Sequence, residues 1–282
     1  MASFRFPHYY YLVTFTLPSE LRPLARSHPK KVYGLLMKCA AAALLKLLRD
    51  PQFLGARPGC LAVLHTWTRA MLYHPHVHML VTAAGLSSDG VWTQPRSPRF
   101  LLPEKPLAQI FRAKICDALK KAGLLAEVPA HVWKKDWVVD CKNAGSGGQV
   151  LRYLARYLFR VAIANSRLEQ IQDGQVTFRY RDNRTQRMRR ATLSGVEFLH
   201  RFLQHILPRG CSKVRYYGIW SPRCAAKLDL IRAQFNCPAP DLSPEPELEA
   251  PKPEASAARC PLCRAGHLVF LGILSPQRSR SP

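Results

Sequence analysis

The chain has 282 residues, 48% of them hydrophobic, which is enough to bury a sizeable core. Lys and Arg number 42 against 18 Asp and Glu, giving a formal net charge of +24, far more than solubility requires. A charge of this size predicts a polyanionic partner, and nucleic acid is the commonest one.

Composition and patterning also exclude several classes of protein. The nine cysteines are an odd number without a regular framework, which is typical of a reducing compartment rather than of a disulfide-stabilised secreted domain. Residues 1–11 lack the basic start and apolar core of a secretory signal. Because no apolar run is long enough to span a bilayer, we expect a soluble, internal protein without a membrane partner.

The first third of the chain predicts strands around one helix. Tyr9–Leu17 is rich in β-branched and aromatic residues and stops at Pro18, which favours a strand. Leu35–Leu48 is rich in Ala and Leu and predicts a helix. The runs Cys60–Trp67 and Pro75–Thr82 predict two further strands, and the short spacing between them favours antiparallel neighbours.

The middle of the chain predicts two more helices. The first covers Leu107–Ala122, and it is followed by a strand over His131–Asp140. Asn143–Gly148, made of small and polar residues, predicts a flexible loop. The second helix is predicted over Gln149–Ser166.

A basic hairpin is predicted at about residues 175–193. Thr177–Tyr180 and Ala191–Leu193 would be its strands, and between them lies a cluster of arginines: Arg179, Arg181, Arg184, Arg187, Arg189 and Arg190. Guanidinium groups suit bidentate contact with phosphate, so we predict that these arginines bind DNA. The alternative is a solvated hairpin with no ligand.

The chain then predicts a helix, a linker and a tail. Val196–Leu207 is amphipathic and stops at Pro208. We expect the main domain to cover residues 1–222, a terminal helix to follow at 223–236, and a Pro-rich linker with a Cys-containing tail to occupy 237–282. Within that tail, Cys260 and Cys263 resemble half of a zinc ribbon without its second Cys pair, so we interpret them as the remnant of a zinc site.

Histidines crowd the segment His74-Pro75-His76-Val77-His78. On a strand, alternate side chains share a face, so His76 and His78 would project together and could hold a divalent cation. Isolated histidines of this kind are more often ordinary half-buried residues. The metal interpretation therefore depends on further features.

Two tyrosines provide such a feature. Tyr153 and Tyr157 lie four residues apart in the predicted helix Gln149–Ser166, so they would share a face. A tyrosine hydroxyl can attack a phosphodiester that a metal ion polarises, and it conserves the bond energy in a covalent link. The alternative is that both rings only pack the helix against the sheet.

Taken together, these segments resemble the two-tyrosine HUH transposases of the insertion-sequence-91 family, where HUH denotes His, a bulky apolar residue and His. The similar segments together span most of Tyr10–Pro222 and are Leu64–Trp67, Tyr73–Val81, Leu151–Arg160 and Phe198–Gly210. The resemblance implies an α+β fold with an HUH-endonuclease-like central antiparallel sheet flanked by helices.

The same resemblance implies the chemistry and the site. His76 and His78 would be metal ligands for Mg²⁺ or Mn²⁺, and Tyr153 and Tyr157 the nucleophiles that cut and rejoin single-stranded element ends through a 5′-phosphotyrosine. The implied protein is a transposase of rolling-circle type in the bacterial cytoplasm, associated with the nucleoid when bound to DNA. Besides the hairpin, Arg152 and Arg156 of the tyrosine helix are expected to contact DNA.

Two departures from the family pattern bear on activity. Family members continue His-Thr-Trp with Gly-Gln, whose Gln could be a third ligand, whereas this chain has Thr68-Arg69. The third ligand would then be His74, Gln149 or water. Family members also often carry an N-terminal Cys-rich zinc module, which we expect this chain to lack because the first strand begins near Tyr9.

Two alternative functions follow from these departures and from the shared chemistry. One is a non-catalytic DNA-binding remnant of a transposase, motivated by Arg69 and by the expected lack of the N-terminal zinc module. The other is a rolling-circle replication initiator or a conjugative relaxase. The ordered matches outside the histidines favour the transposase.

Overall fold

The computed structural model describes residues 9–95, 97, 100–146, 150, 162–182, 185–227 and 231. The chain divides into two compact units, Met1–Ala239 and Pro240–Pro282, and all of the described residues lie in the first. No helix among them is long and apolar enough to cross a membrane.

The central sheet is antiparallel throughout. Its strands in spatial order are β5 (Val139–Gly145), β1 (Tyr10–Thr16), β3 (Tyr73–Leu86), β2 (Arg57–Trp67) and β9 (Val214–Gly218), and β4 (Trp92–Thr93) pairs with the end of β3. β3 is thus a middle strand with a neighbour on each side. The predicted α+β fold, with its central antiparallel sheet flanked by helices, is confirmed.

Helices cover one face of this sheet. They are α1 (Arg22–Ser27), α2 (Pro29–Leu48) and α3 (Glu104–Lys121). Apolar residues at helical spacing, such as Leu36 and Leu44 of α2 and Phe111 of α3, pack against alternate sheet residues such as Phe15 and Val77. The Phe15 and Phe111 rings meet edge to face with centroids 5.0 Å apart.

The opposite sheet face is more varied. Towards β9 and the far end of β3 it carries an apolar cluster that contains Tyr10, Val63, Leu80, Val150 and Trp220. Towards the end of β2 and the start of β3 the same face carries polar side chains instead. Because strand side chains alternate, the helix-covered core and this face draw on alternate residues of the same strands.

A close approach between backbones fixes β9 against β2. Gly218, at the end of β9, has φ +65°, and a Cβ added there would lie 1.8 Å from the carbonyl oxygen of Pro58. Only glycine fits such a position, because it has no Cβ and adopts positive φ readily.

The chain after residue 162 forms a smaller, three-stranded sheet. Its strands are β6 (Leu168–Gln172), β7 (Gln175–Arg181) and β8 (Met188–Ser194). Asp173 and Gly174 join β6 to β7 with positive φ at both residues, the geometry of the tight turn that suits a right-twisted hairpin. The predicted basic hairpin is β7–β8, and it has β6 as a third strand.

Helix α4 (Gly195–Leu203) follows β8 directly. Ser194 caps it by accepting a hydrogen bond from the Glu197 N–H at 3.2 Å. The helix predicted to reach Leu207 ends at Leu203, and the chain turns through Gln204–Ile206. Beyond β9, a 3-10 turn at Pro222–Cys224 leads into helical residues 225–227 and 231, inside the predicted terminal helix.

The strand predicted over His131–Asp140 is wrong. Ala130–Trp133 forms a 3-10 turn, and the Trp137 indole N–H donates to the carbonyl of Val132 at 3.1 Å, which keeps this segment compact. The strand that joins the sheet is β5, which extends into the segment predicted as a loop. An edge strand needs only backbone partners, so polar residues such as Asn143, paired with Tyr11, are accommodated there.

Candidate metal centre

Three histidines converge on the sheet face that lies opposite α2 and α3. His76 and His78 come from β3, as the sequence predicted, and His65 comes from β2. In the antiparallel register His65 lies directly opposite His76. Residues that face each other across an antiparallel pair project to the same side, so the fold brings all three imidazoles together.

The imidazoles form a compact cluster. One ring nitrogen from each histidine lies within 4.8 Å of the others. The ring centroids are 5.4 Å apart for His65 and His76, 4.9 Å for His65 and His78, and 4.8 Å for His76 and His78. His65 is 2% exposed, whereas His76 and His78 are half-buried, so the cluster opens to solvent on the β3 side.

Hydrogen bonds orient the two histidines of β3. The Nδ1–H of His76 donates to the backbone carbonyl of His74 at 2.7 Å, which puts the ring's lone pair on Nε2. The Thr14 hydroxyl of β1 lies 3.0 Å from Nδ1 of His78. Contacts of this kind to the second ring nitrogen are how proteins fix metal-binding imidazoles.

This donor set fits a divalent cation. Three neutral imidazoles on one side leave coordination positions for water or a phosphate oxygen on the other. When bound, such an ion would supply positive charge to polarise the phosphorus–oxygen bonds of a substrate. His65, His76 and His78 are the residues that would hold it.

His74 does not join this cluster. An N–H of the Arg22 guanidinium donates to its Nδ1 at 2.8 Å, and because arginine is always a donor, the His74 proton belongs on Nε2. Burial, with the nearby His76 and Arg22, lowers the pKa of His74 to about 4, so the ring is neutral near pH 7. In this tautomer the Nδ1 lone pair of His74 accepts from Arg22 and Nε2 carries the proton, so neither nitrogen offers a lone pair to a metal ion.

His65 is the site residue that sequence reasoning missed. The third ligand was predicted to be His74, Gln149 or water because Arg69 stands where the family has Gln. Arg69 lies in the turn after β2, and its carbonyl accepts a hydrogen bond from Arg167. His65 lies opposite His76 only in the observed register, whereas the predicted strands Cys60–Trp67 and Pro75–Thr82 are centred on residue 71 and would pair His65 with Val77. The predicted strands therefore did not bring His65 to the site.

Several predicted site residues lie outside the described part of the chain. They are the tyrosines, two arginines beside them, one hairpin arginine, one predicted third ligand and the two tail cysteines: Tyr153, Tyr157, Arg152, Arg156, Arg184, Gln149, Cys260 and Cys263. Val150, three residues before Tyr153, is described. It is helical, and it is buried beside Val63 and Leu80 on the histidine face of the sheet.

The hairpin arginines that are described are all exposed, namely Arg179, Arg181, Arg187, Arg189 and Arg190. Arg179 of β7 lies directly opposite Arg190 of β8, so two cations share one face, although Arg190 also pairs with Glu169 at 2.7 Å. Phe178, the residue before Arg179, points inward and is fully buried. Like charges placed opposite each other repel, and a bound phosphate would relieve that repulsion.

An antiparallel sheet with paired histidines on its middle strand and a basic hairpin beside it defines a class, the HUH-type DNA-processing proteins. Residues 59–227 match the family Y2_Tnp, described as "Putative transposase". The chain is 36% identical to "Putative transposase y4qJ" of Sinorhizobium fredii over 95% of its own length and 75% of that protein. It is also 31% identical to the transposase of insertion sequence element IS801 from Pseudomonas savastanoi pv. phaseolicola, over 93% of its own length and 67% of that protein.

The chain therefore belongs to this family of insertion-sequence transposases, which confirms the predicted resemblance. Solved structures of the conjugative relaxase TrwC with oriT DNA are also similar in part. The metal-free complex matches with a TM-score of 0.33 and 17% identity over 39% of this chain and 43% of that one. The metal-bound complex matches with a TM-score of 0.30 and 16% identity over 39% and 42%.

Proposed function

We propose that this transposase cuts and rejoins single-stranded DNA at the ends of its element, through tyrosine nucleophiles that act beside a divalent cation on His65, His76 and His78. The observation that carries the proposal is the histidine cluster. Three imidazoles that converge from two neighbouring strands of a transposase sheet indicate a metal site more strongly than an isolated His-x-His pair does. They supply a place for a cation and leave one side of it open to a phosphodiester.

The proposed nucleophiles are Tyr153 and Tyr157. Val150 is helical and buried on the same sheet face as the histidines. In the helix that the sequence predicts over Gln149–Ser166, the two tyrosines would fall three and seven residues after Val150 and would share its face. The helix would thus direct both phenols at the sheet face that holds the cluster.

The proposed reaction exchanges one phosphodiester for another. The tyrosine oxygen attacks phosphorus and loses its proton, the bond from phosphorus to O3′ breaks, and the departing oxygen takes up a proton as a free 3′-hydroxyl. The 5′-phosphate stays on the tyrosine until a 3′-hydroxyl attacks in the reverse sense. A second tyrosine allows two strands to be handled in succession.

Of the two ions implied by the resemblance, Mg²⁺ and Mn²⁺, we favour Mn²⁺ at this site. Mg²⁺ prefers oxygen ligands, whereas the cluster offers three nitrogens. We place the working protein in the bacterial cytoplasm, at the nucleoid when bound to DNA. We retain residues 1–222 as the catalytic domain, 223–236 as a terminal helix, and 237–282 as linker and tail.

A non-catalytic remnant is less well supported than an active enzyme. The reason to suspect one within the histidine site was Arg69, which cannot ligate a metal. His65 removes that reason, because the cluster has three imidazoles without any contribution from residue 69.

The test is a covalent adduct. Labelled single-stranded DNA from either end of the element, incubated with the protein and Mn²⁺, should give a protein–DNA species that survives denaturation. The double variant Tyr153→Phe, Tyr157→Phe should give none, because no phenol remains to attack. Tyr9→Phe, which alters an exposed tyrosine beyond the opposite end of β1, is the matched control and should form adduct like the wild type. An adduct in the double variant would overturn the assignment.

A further inference from the structure

A pocket of about 220 Å³ opens at the edge of β2, next to the histidine cluster. β9 pairs with β2 as far as Val63, and the Leu64 N–H donates to the carbonyl of Lys213 at 2.8 Å. Beyond Leu64, no strand in the described part of the chain pairs with β2 on that side. The turn after α4 lies over this gap. The side chains that line it include Trp67, Phe202, His205, Ile206, Leu207 and Lys213.

Trp67 links the pocket to the candidate metal centre. Its indole stacks on the His65 ring with centroids 5.0 Å apart and an interplanar angle of 18°. The same indole lines the pocket, so only one imidazole separates the pocket from the place a cation would occupy. A group held in the pocket would therefore be a close neighbour of the reacting phosphate.

The lining is apolar with one cation at its margin. Phe202 is 38% exposed and Ile206 62% exposed, unusual positions for large apolar side chains. The Lys213 Nζ lies over the Trp67 ring, 5.6 Å from its centre, so a base stacked on this face would take the place of the ammonium, and the flexible lysine would turn to the phosphate. Burial lowers the pKa of His205 to about 4, so near pH 7 the pocket wall on that side is uncharged.

The aromatic and apolar walls of the pocket suit the faces of one unpaired base, and its single lysine suits the phosphate of that nucleotide. A nucleobase has two apolar faces that gain from aromatic contact, and its phosphate is an anion within reach of a lysine. A base inside a duplex is already stacked and paired, so it has no face to offer. The pocket thus suits single-stranded DNA and does not suit the duplex.

We propose that this pocket holds an unpaired nucleobase next to the scissile phosphate, with Trp67 and Phe202 against the base and Lys213 on its phosphate. The inference rests on the proposed function for its substrate, single-stranded DNA. It adds positioning residues that act at one nucleotide rather than along the whole backbone. Trp67 and Lys213 would fix the position of the DNA strand relative to the histidine cluster.

The experiment compares two fluorescent 20-mers by anisotropy in EDTA, one of deoxythymidine and one with abasic sites throughout. The Trp67→Leu variant should bind the thymidine strand about tenfold more weakly than the wild type and the abasic strand nearly as well, because only stacking is lost. The double variant Phe202→Ala, Ile206→Ala should show the same base-dependent loss. Both of its residues are exposed, so its fold is not at issue.

Trp92→Leu is the matched control, since Trp92 is a half-buried tryptophan on β4, which pairs with the far end of β3. This variant should bind both DNA strands like the wild type. Lys213→Met should weaken the binding of both the thymidine and the abasic strand, because both carry phosphates. The proposal is overturned if both pocket variants keep the wild-type ratio of thymidine to abasic affinity. It is also overturned if Trp67→Leu lowers the affinity for both DNA strands by the same factor while the double variant leaves both affinities unchanged. The binding assay needs neither cleavage nor metal, so a failed adduct assay would leave this result intact.

Discussion

His65 contacts three aromatic rings, those of His76, His78 and Trp67, and its own ring is almost completely buried. One ring nitrogen of His65 lies within 4.8 Å of a ring nitrogen of His76 and of one of His78. A single cation placed between them could therefore bind all three imidazoles. This is the physical reason to regard His65 as a ligand rather than as a packing residue.

Replacing His65 with alanine tests this role. His65→Ala should bind Mn²⁺ more than tenfold more weakly in titration calorimetry, since loss of even an outer-shell partner of a metal ligand costs about 10–100-fold. Adduct formation should fall with it. His74→Ala is the control and should bind Mn²⁺ like the wild type, because Arg22 occupies Nδ1 of His74. Normal Mn²⁺ affinity in His65→Ala together with a loss in His74→Ala would make His74 the third ligand.

The sequence predicts residues better than it predicts their partners. His76 and His78 follow from the period of a strand, which is a local property. His65 depends on register, a non-local property that a turn and two bulges in β2 decide. The family pattern drew attention to residue 69, where Arg replaces Gln, whereas the third imidazole comes from His65, four residues earlier and opposite His76.

At the scale of elements, the β7–β8 hairpin separates its two faces clearly. Val176 and Phe178 point into a small core, while Arg179 and Arg181 alternate with them and face solvent. The period of two was visible in the sequence, so the hairpin could be predicted. The segment after Pro129 could not, because aromatic residues there pack on one another in a 3-10 turn that only tertiary contacts select.

The exposed hairpin arginines should contribute to DNA affinity through charge. The double variant Arg179→Ala, Arg181→Ala should bind a single strand more weakly, and the slope of log affinity against log salt should become shallower by about 1.4, since each phosphate contact contributes about 0.7. Unfolding temperature should not change, because both side chains are exposed. Affinity measured by anisotropy across several salt concentrations checks this.

Lys38→Ala, Lys46→Ala is the matched control for that experiment. It removes the same charge from the solvent side of α2, which covers the other face of the sheet. If this variant lowered the salt slope as much as the arginine variant did, binding would reflect the net charge of the chain rather than a contact at the hairpin. An unchanged slope in the arginine variant would exclude the hairpin from the DNA interface.

At the scale of the whole molecule, the two faces of the central sheet have different roles: one packs the main hydrophobic core, and the other carries the candidate metal centre. Its helix-covered face is continuous hydrophobic core, and its other face changes along the strands from an apolar cluster to the histidines. Packing on the helix-covered face fixes the register between β2 and β3, and this register places His65 opposite His76. The second sheet and α4 add the basic hairpin and the pocket beside Trp67.

His205, in the turn after α4, contacts β2 and the turn that follows it, and its burial makes the stability of the folded state depend on pH. Its Nδ1 lies 3.3 Å from the Thr66 hydroxyl of β2, its Nε2 lies 3.4 Å from the Met71 carbonyl, and its side chain is buried. Burial lowers its pKa to about 4, whereas an unfolded histidine titrates near 6.5. Between these values the unfolded chain binds the extra proton, so stability falls as pH falls from about 6.5 and the loss is complete below about 4.

The wild type should therefore lose up to about 3 kcal/mol of unfolding free energy over that window from this one residue. His205→Gln, which keeps a polar side chain without a titrating ring, should lose correspondingly less, and urea unfolding at pH 7, 6, 5 and 4 measures the difference. His131→Gln is the control, since its side chain is two-thirds exposed and does not line the pocket beside Trp67. Parallel pH curves for the wild type and His205→Gln would show that the ring does not stay neutral in the folded protein, and that the pocket wall beside Trp67 becomes charged as the solution is acidified.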